Sequence, residues 1–314
     1  MRRRALLLGA LARPALAEPG FPSRPIRLFV GSSAGGSQDI TARLLASRLT
    51  PLLGQTVVVE NRGGGGGVLA TEAMRGAVPD GHTLVFNNMG AFLIVPLLHG
   101  GWQPWTELEP VGPVADVLTV LVVPSARPWN SVAALIEAAR TAPGQLSWGH
   151  PGIAGSGWLA ALRLDREAGV RTIEVPYRGG GPAMLDLLAG RLDFMFATTA
   201  TALPHIAGGR LRPLAVPTHA RLPALPAVPT MVESGFADFA LRSWFGVMAP
   251  ARTPPAIVAT LNRAIAQAMA GPEVAAQLAE HGESPLFASP SEFRRIGDAD
   301  QAQWGKLAMA HVPR

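Results

Sequence analysis

The stretch that most narrows the fold runs from Ile26 to Leu53. Ile26-Arg27-Leu28-Phe29-Val30 reads as a buried strand, and Gly31-Ser32-Ser33-Ala34-Gly35-Gly36-Ser37-Gln38 follows as a small-residue loop. From about Ser37 to Leu53 the pattern turns helical, with Ile40, Leu44, Leu45, Leu49 and Leu52 on one face. Strand, loop and helix in that order form the repeating unit of doubly wound α/β architecture. Strand runs recur at Thr56–Glu60, Thr83–Asn87, Thr172–Val175, Leu192–Phe196 and Trp244–Met248, and Val117–Val123 has a strand's length. Helical patterns recur after Asn130, which is placed to cap a helix carrying Val132, Leu135 and Ile136. Others run from Pro182 to Ala189, closed by Gly190, from Pro254 to Ala270, and after Pro272 and Pro290. With 314 residues the chain has room for two such domains. The proline-rich run from Pro213 to Pro229 suits either a connector between them or an irregular surface loop.

The loops that leave predicted strands share one composition. The first is Ser32 to Gln38; Gly149 to Ser156 includes Gly152 and Gly155; Tyr177-Arg178-Gly179-Gly180-Gly181 and Thr198 to Thr201 follow. Glycines admit a ligand close to the backbone, and a helix start offers unpaired N–H groups at the positive end of its dipole. Together such loops suggest an uncharged, backbone-lined cleft for an anion, with Arg178 as a cationic candidate or an ordinary surface side chain. Ser156 and Thr199 serve equally as plain helix caps, and Asp39 suits the helix dipole. Gly63–Gly67 lacks the Lys-Ser/Thr of a phosphate loop and reads as a flexible turn.

Several chemistries have little support. Gly31-Ser32-Ser33-Ala34-Gly35 matches the G-x-S-x-G elbow of a serine hydrolase, with Ser33 as nucleophile. It follows the first strand, however, so no earlier strand supplies an oxyanion loop. The chain has no cysteine and no metal-ligand spacing, so packing alone holds it and neither a metal nor another cofactor is expected. Arg2, Arg3 and Arg4, the apolar run Ala5–Ala12 and Ala15-Leu16-Ala17 mark residues 1–17 as a signal peptide. Arg3-Arg4-Ala5-Leu6-Leu7 fits a twin-arginine signal as well as an ordinary basic start. Export removes four arginines and no acid, taking the formal charge from +5 to +1 and with it the case for a nucleic-acid partner.

The ordered runs Phe21-Pro22-Ser23-Arg24-Pro25-Ile26-Arg27, Asp39-Ile40-Thr41-Ala42-Arg43-Leu44-Leu45, Val58-Val59-Glu60-Asn61-Arg62 and Pro79-Asp80-Gly81-His82-Thr83-Leu84 carry a family resemblance. Val175-Pro176-Tyr177-Arg178-Gly179, Ala202-Leu203-Pro204-His205-Ile206, Leu225-Pro226-Ala227-Val228-Pro229-Thr230 and Ser243-Trp244-Phe245-Gly246 extend it. Over nearly all of the mature sequence the chain resembles the Bug-type solute receptors of tripartite tricarboxylate transporters. The resemblance implies a monomeric, non-enzymatic periplasmic protein with the two-lobed type II binding-protein fold. Such a protein closes on a small organic acid and delivers it to permease subunits, although a sensor is an alternative recipient. One lobe would be 18–120 plus 243–314 and the other 121–242, which puts the proline-rich run inside a lobe.

The resemblance also implies that the acid is held by backbone amides, helix starts and water. Its contacts would come from Ser32–Gly36, Gln38, Asn88, Met89, Gly152, Gly155, Ser156, Tyr177–Gly180, Ala197, Thr198 and Trp244. Three loops depart from the family pattern. Ser32-Ser33-Ala34-Gly35-Gly36 replaces Phe-Pro-Pro-Gly-Gly, and His150-Pro151-Gly152-Ile153-Ala154-Gly155 replaces a Ser-x-Gly-x-Gly-Thr loop, with Trp158 at a following His. Phe196-Ala197-Thr198 stands where Phe-Asp-Asn is usual. An Asp at Ala197 would pair with an amine, so an amino-acid ligand is disfavoured.

Overall fold

The computed structural model describes residues 20–99, 102–280 and 282–311; the signal peptide assigned to 1–17 lies outside them. In chain order the first stretch is β1 (Ile26–Val30), α1 (Ser37–Leu53), β2 (Val57–Asn61), α2 (Val68–Arg75) and β3 (Thr83–Asn88). A π-helical turn, Gly90–Ile94, runs into α3 (Val95–His99), then α4 (Pro104–Glu107) and β4 (Leu108–Val117). The middle stretch is β5 (Thr119–Pro124), α5 (Val132–Thr141), β6 (Ser147–His150), α6 (Ser156–Ala168) and β7 (Ile173–Pro176). It continues with α7 (Gly180–Leu188), β8 (Met195–Thr198), α8 (Thr199–Ala207) and β9 (Leu211–Ala215). The chain finishes with β10 (Ser243–Pro250), α9 (Pro255–Met269), α10 (Pro272–Glu280), β11 (Ser284–Pro285) and α11 (Pro290–Met309).

These elements build two lobes. The first holds a six-stranded sheet ordered β11-β4-β10-β3-β1-β2, parallel across β2-β1-β3 and antiparallel beyond. In the second, β5 lies antiparallel between β8 and β9, and the parallel pair β6-β7 joins through a bridge of Trp148 to Phe194. The first sheet therefore draws its strands from 26–117 and 243–285, and the second from 119–215. Only Leu118 separates β4 from β5, so the run Val117–Val123 is split between two sheets instead of forming one strand.

β1 lies inside the sheet, between β3 and β2, with apolar side chains on both faces: Ile26, Leu28, Phe29 and Val30 are all buried. Its exception, Arg27, reaches out to Glu60 on β2 at 2.6 and 2.9 Å. α1 spans the residues expected but buries a different stripe. Ala42, Leu45, Ala46 and Leu49 face inward, where the two alanines let the helix sit close, whereas Leu52 is exposed. The cap of α5 is Ser131, one residue beyond Asn130, and its hydroxyl accepts from Ala134 N at 3.2 Å. β8 begins later than the apolar run suggests, because the Asp193 carboxylate turns back to accept from Ser147 N at 2.7 Å. The proline-rich run belongs to the second lobe: Val216 bridges Thr230, while Leu222, Leu225 and Val228 pack beneath β5 and α7.

The largest apolar cluster is continuous between lobes. It joins Phe92, Leu93, Trp244, Phe293 and Trp304 on one side to Trp148, Trp158, Phe194 and Phe196 on the other. α11 runs along this junction, and its last turn reaches the second lobe, where His311 Nε2 lies 3.2 Å from Glu174 Oε2. Among the described residues no helix is long and apolar enough to cross a membrane.

Candidate functional site

Four helices begin at one cleft between the lobes. α1 starts after Gly36, α6 after Gly155, α7 after Gly179 and α8 after Thr198, and none of these starts has a side-chain cap. Of the other helices, Ser131 caps α5 and Ser289 caps α11 by accepting from Glu292 N at 3.2 Å, whereas α2, α4 and α9 likewise begin without a side-chain cap. The first N–H groups of the cleft helices are thus left without side-chain partners, at the positive ends of four dipoles.

Among the described residues the cleft wall has no charged side chain. It is formed by glycines 31, 36, 66, 152, 155, 157 and 180, by Ser32, Ser37, Gln38, Asn88, Ser156, Thr198, Thr201 and Ser243, and by Val117, Pro151, Ile153, Met195, Phe196 and Phe245. The space encloses about 70 Å³, far too little for a peptide. Among the described residues no group of three His, Asp or Glu side chains could hold a metal ion.

Asn87 organises the first-lobe wall, although its sequence context shows only a strand end. Fully buried, it donates to Gly67 O at 3.0 Å and Thr71 Oγ1 at 3.2 Å, and accepts from Gln38 Nε2 at 2.9 Å. Gln38 also donates to Phe86 O at 2.9 Å, so its amide is held rigidly. A Cβ on Gly31 or Gly67 would collide with the Asn87 carboxamide, which explains glycine at both positions. Asp39 clamps the loop from outside, accepting from Gly35 N at 2.9 Å and Asn61 Nδ2 at 2.9 Å beside Arg43. Burial alone would raise its proton affinity. Its bonds to Arg43, Gly35 and Asn61 outweigh that and hold the carboxyl below the usual range.

Glycine backbone closes the cleft. Gly90 sits so close to Ala154 that a Cβ would fall on the Ala154 carbonyl, Gly152 faces Gly66, and Gly179 faces the Ser33 hydroxyl. Ala154 itself has φ of 65°, the left-handed region that non-glycine residues adopt at a cost.

The structure brings Ser32, Gly36, Gln38, Asn88, Gly152, Gly155, Ser156, Gly180 and Thr198 together on this wall. Ala34 and Gly35 are on the exposed side of their loop, and Ser33 and Gly179 meet each other beside the cleft. Met89 is fully buried in the core between the lobes. The Tyr177 hydroxyl donates to Asp186 at 2.7 Å, and Arg178 points to solvent. Strand alternation removes two more. On β10 Ser243 and Phe245 meet the cleft, so Trp244 faces the other way, donating to Asp300 at 2.7 Å against Phe92 and Phe293. On β8 Thr198 meets the cleft, and Ala197 turns into the core opposite Val120. The absence of a carboxylate at 197 therefore does not bear on the cleft directly; the absence of any acidic side chain from the wall does. Ser33 Oγ is buried with no hydrogen-bond partner among the described residues.

Residues 41–311 match the model of the tripartite tricarboxylate transporter family receptor. The chain belongs to this receptor family. It is 37% identical to Protein BugT of Bordetella pertussis over 297 residues, 94% of this chain and 91% of that one. Among solved structures, Rpa4515 of R. palustris with adipate superposes with a TM-score of 0.89 at 34% identity, covering 92% of this chain and 97% of the other. MatC of Rhodopseudomonas palustris, with bound malate, gives 0.87 at 28% identity, covering 92% and 100%. The fold is thus the two-lobed one of periplasmic solute receptors.

Proposed function

We propose that this receptor captures a small carboxylate without an ammonium group in the cleft between its lobes and presents it to the permease subunits of a tripartite transporter. The observation that carries the reading is the set of four helix starts without side-chain caps around a wall free of charged side chains. Such a site stabilises an anion through N–H groups and dipoles, and offers an ammonium no carboxylate to pair with. Adipate and malate in the related structures support the ligand class. The lobes divide as 18–120 with 243–314 and 121–242, bending where β4 passes into β5. Residues 1–17 direct the chain to the periplasm, and the protein turns over no substrate.

The test is calorimetry and thermal shift with malate, adipate, their diamides and their 2-amino counterparts. The free acids raise the melting temperature by mass action, and the diamides do not. Stabilisation by none of the acids, or equal stabilisation by amides, would remove the reading. Ester turnover lost in Ser33→Ala would replace it with a hydrolase.

A further inference from the structure

One carboxyl group lies outside the cleft yet is wired to it. Glu283, between α10 and β11, is 4% exposed, and its Oε2 lies 2.7 Å from the Thr41 hydroxyl, itself buried on α1. The same hydroxyl lies 3.0 Å from the carbonyl of Ser37, the first residue of α1 and part of the cleft wall. Glu283 Oε1 has no partner among the described residues. A hydroxyl carries one proton, and the Ser37 carbonyl can only accept. Both bonds form at full strength only when Glu283 donates to Thr41 and Thr41 donates to Ser37. The flanking backbone ties the group to the other lobe, because Gly282 O accepts from Thr199 Oγ1 at 3.2 Å at the start of α8.

The charged groups on the elements packed around Glu283 are otherwise engaged or solvated. On α1, Asp39 pairs with Arg43, and Arg48 pairs with Glu273 of α10. Asp116 of β4 pairs with Arg242, Glu109 lies at the far end of that strand, and Glu280 at the end of α10 is exposed. α8 contributes His205, which lies nearly two helical turns beyond Thr199, roughly 9 Å along the axis. Burial pushes the Glu283 carboxyl up to about 8, and the Thr41 bond acts in the opposite direction without overcoming it.

Resting on the carboxylate reading of the cleft, we propose that Glu283 is a positioning residue of the anion site that works in its protonated form. Its proton sets the direction of the Thr41 hydroxyl, which fixes the first turn of α1, and keeps negative charge away from the bound acid. Ionisation turns the Thr41 proton back toward Glu283, releases the Ser37 carbonyl and places a charge one helical turn behind the cleft. At a separation of roughly 10 Å, in a medium of effective dielectric about 20, that charge weakens binding by a factor on the order of ten.

The experiment measures malate and adipate affinity from pH 6 to 9 in the full mature chain, its Glu283→Gln variant and its Thr41→Val variant. The wild type loses about fivefold in affinity between pH 7 and 9, whereas Glu283→Gln holds its affinity across that range. Thr41→Val binds more weakly at every pH. His281, two residues away and outside the described residues, is tested by His281→Gln, which keeps the wild-type profile. A flat wild-type profile, or a slope that persists in Glu283→Gln and vanishes in His281→Gln, overturns the proposal. Infrared spectroscopy of the ligand-free wild type provides a readout that needs neither binding nor a folded variant. A buried protonated carboxylic C=O band at pH 7 that bleaches by pH 9 is expected, and its absence at pH 7 overturns the proposal. If the band is present and no acid binds, the carboxylate reading of the cleft has failed and Glu283 is not a positioning residue of an anion site.

Discussion

Replacing Glu174 by Gln tests how the second lobe is fastened to the C-terminal helix. Glu174 on β7 accepts from Trp158 Nε1 of α6 at 2.8 Å and lies 3.0 Å from His150 Nε2 on β6 and 3.2 Å from His311 Nε2, just past the end of α11. Burial alone would raise its proton affinity. The bonds and charge of His150, with those of Trp158 and His311, outweigh burial and hold the carboxyl at about 2. A depressed folded value gives stability that is present above the ordinary glutamate range near 4.5 and lost as pH falls toward 2. About 2.5 pH units of depression correspond to roughly 3 kcal/mol, and solvent screening of a side chain 29% exposed brings this to about 2 kcal/mol. Urea unfolding should therefore show Glu174→Gln less stable by about 2 kcal/mol at pH 6 and nearly equal to wild type at pH 2.5. An equal loss at both pH values would mean that the residue acts through packing, and no loss at either would refute the ion cluster.

Three further outcomes follow from individual positions. Ser131→Ala removes the α5 cap and should cost about 1 kcal/mol in urea unfolding, with no effect on acid binding. Gly90→Ala places a Cβ on the Ala154 carbonyl and should lower malate or adipate affinity at least tenfold in calorimetry, while far-ultraviolet circular dichroism stays unchanged. Ala154→Gly relieves the left-handed backbone at φ 65° and should raise stability by about 0.5–1 kcal/mol in the same unfolding assay, the gain being limited by the entropy of the added glycine.

Most elements were readable from local pattern, because apolar period and glycine or proline punctuation are local properties. α1 spans the residues its pattern predicts, and the glycine-rich loops after β1 and β6 do reach the cleft. What escaped depends on contacts between distant segments. Whether Ser243 or Trp244 meets the cleft is decided by the pairing of β10 with β3 and β4, and the residues themselves argue for the tryptophan. Ala197 presents the same problem on β8. Asn87 looks like a strand end until Gly31, Gly67 and Gln38 are seen gathered around it. The break at Leu118 is invisible in a run that is apolar but for Thr119, since either sheet accepts those side chains.

The distribution of caps links the fold to its proposed work. A serine at the N-cap would satisfy one of the first N–H groups of a helix and add a few tenths of a kcal/mol over glycine. At the cleft Gly36, Gly155 and Gly179 occupy that position and leave the donors to a ligand. Three of the four starts belong to the second lobe and one, α1, to the first. Closing the lobes therefore brings α1 toward three ends of its own sign, each equivalent to roughly half a positive charge. Without an anion these ends repel. With a carboxylate between them the repulsion becomes a shared attraction, so the ligand has higher affinity for the closed arrangement than for the open one. That differential affinity is what a receptor needs if closure is to signal that the site is filled. It also explains why a carboxyl group as close as Glu283 must keep its proton, because an ionised acid behind α1 would supply part of that attraction in the ligand's absence and oppose the ligand when it arrives.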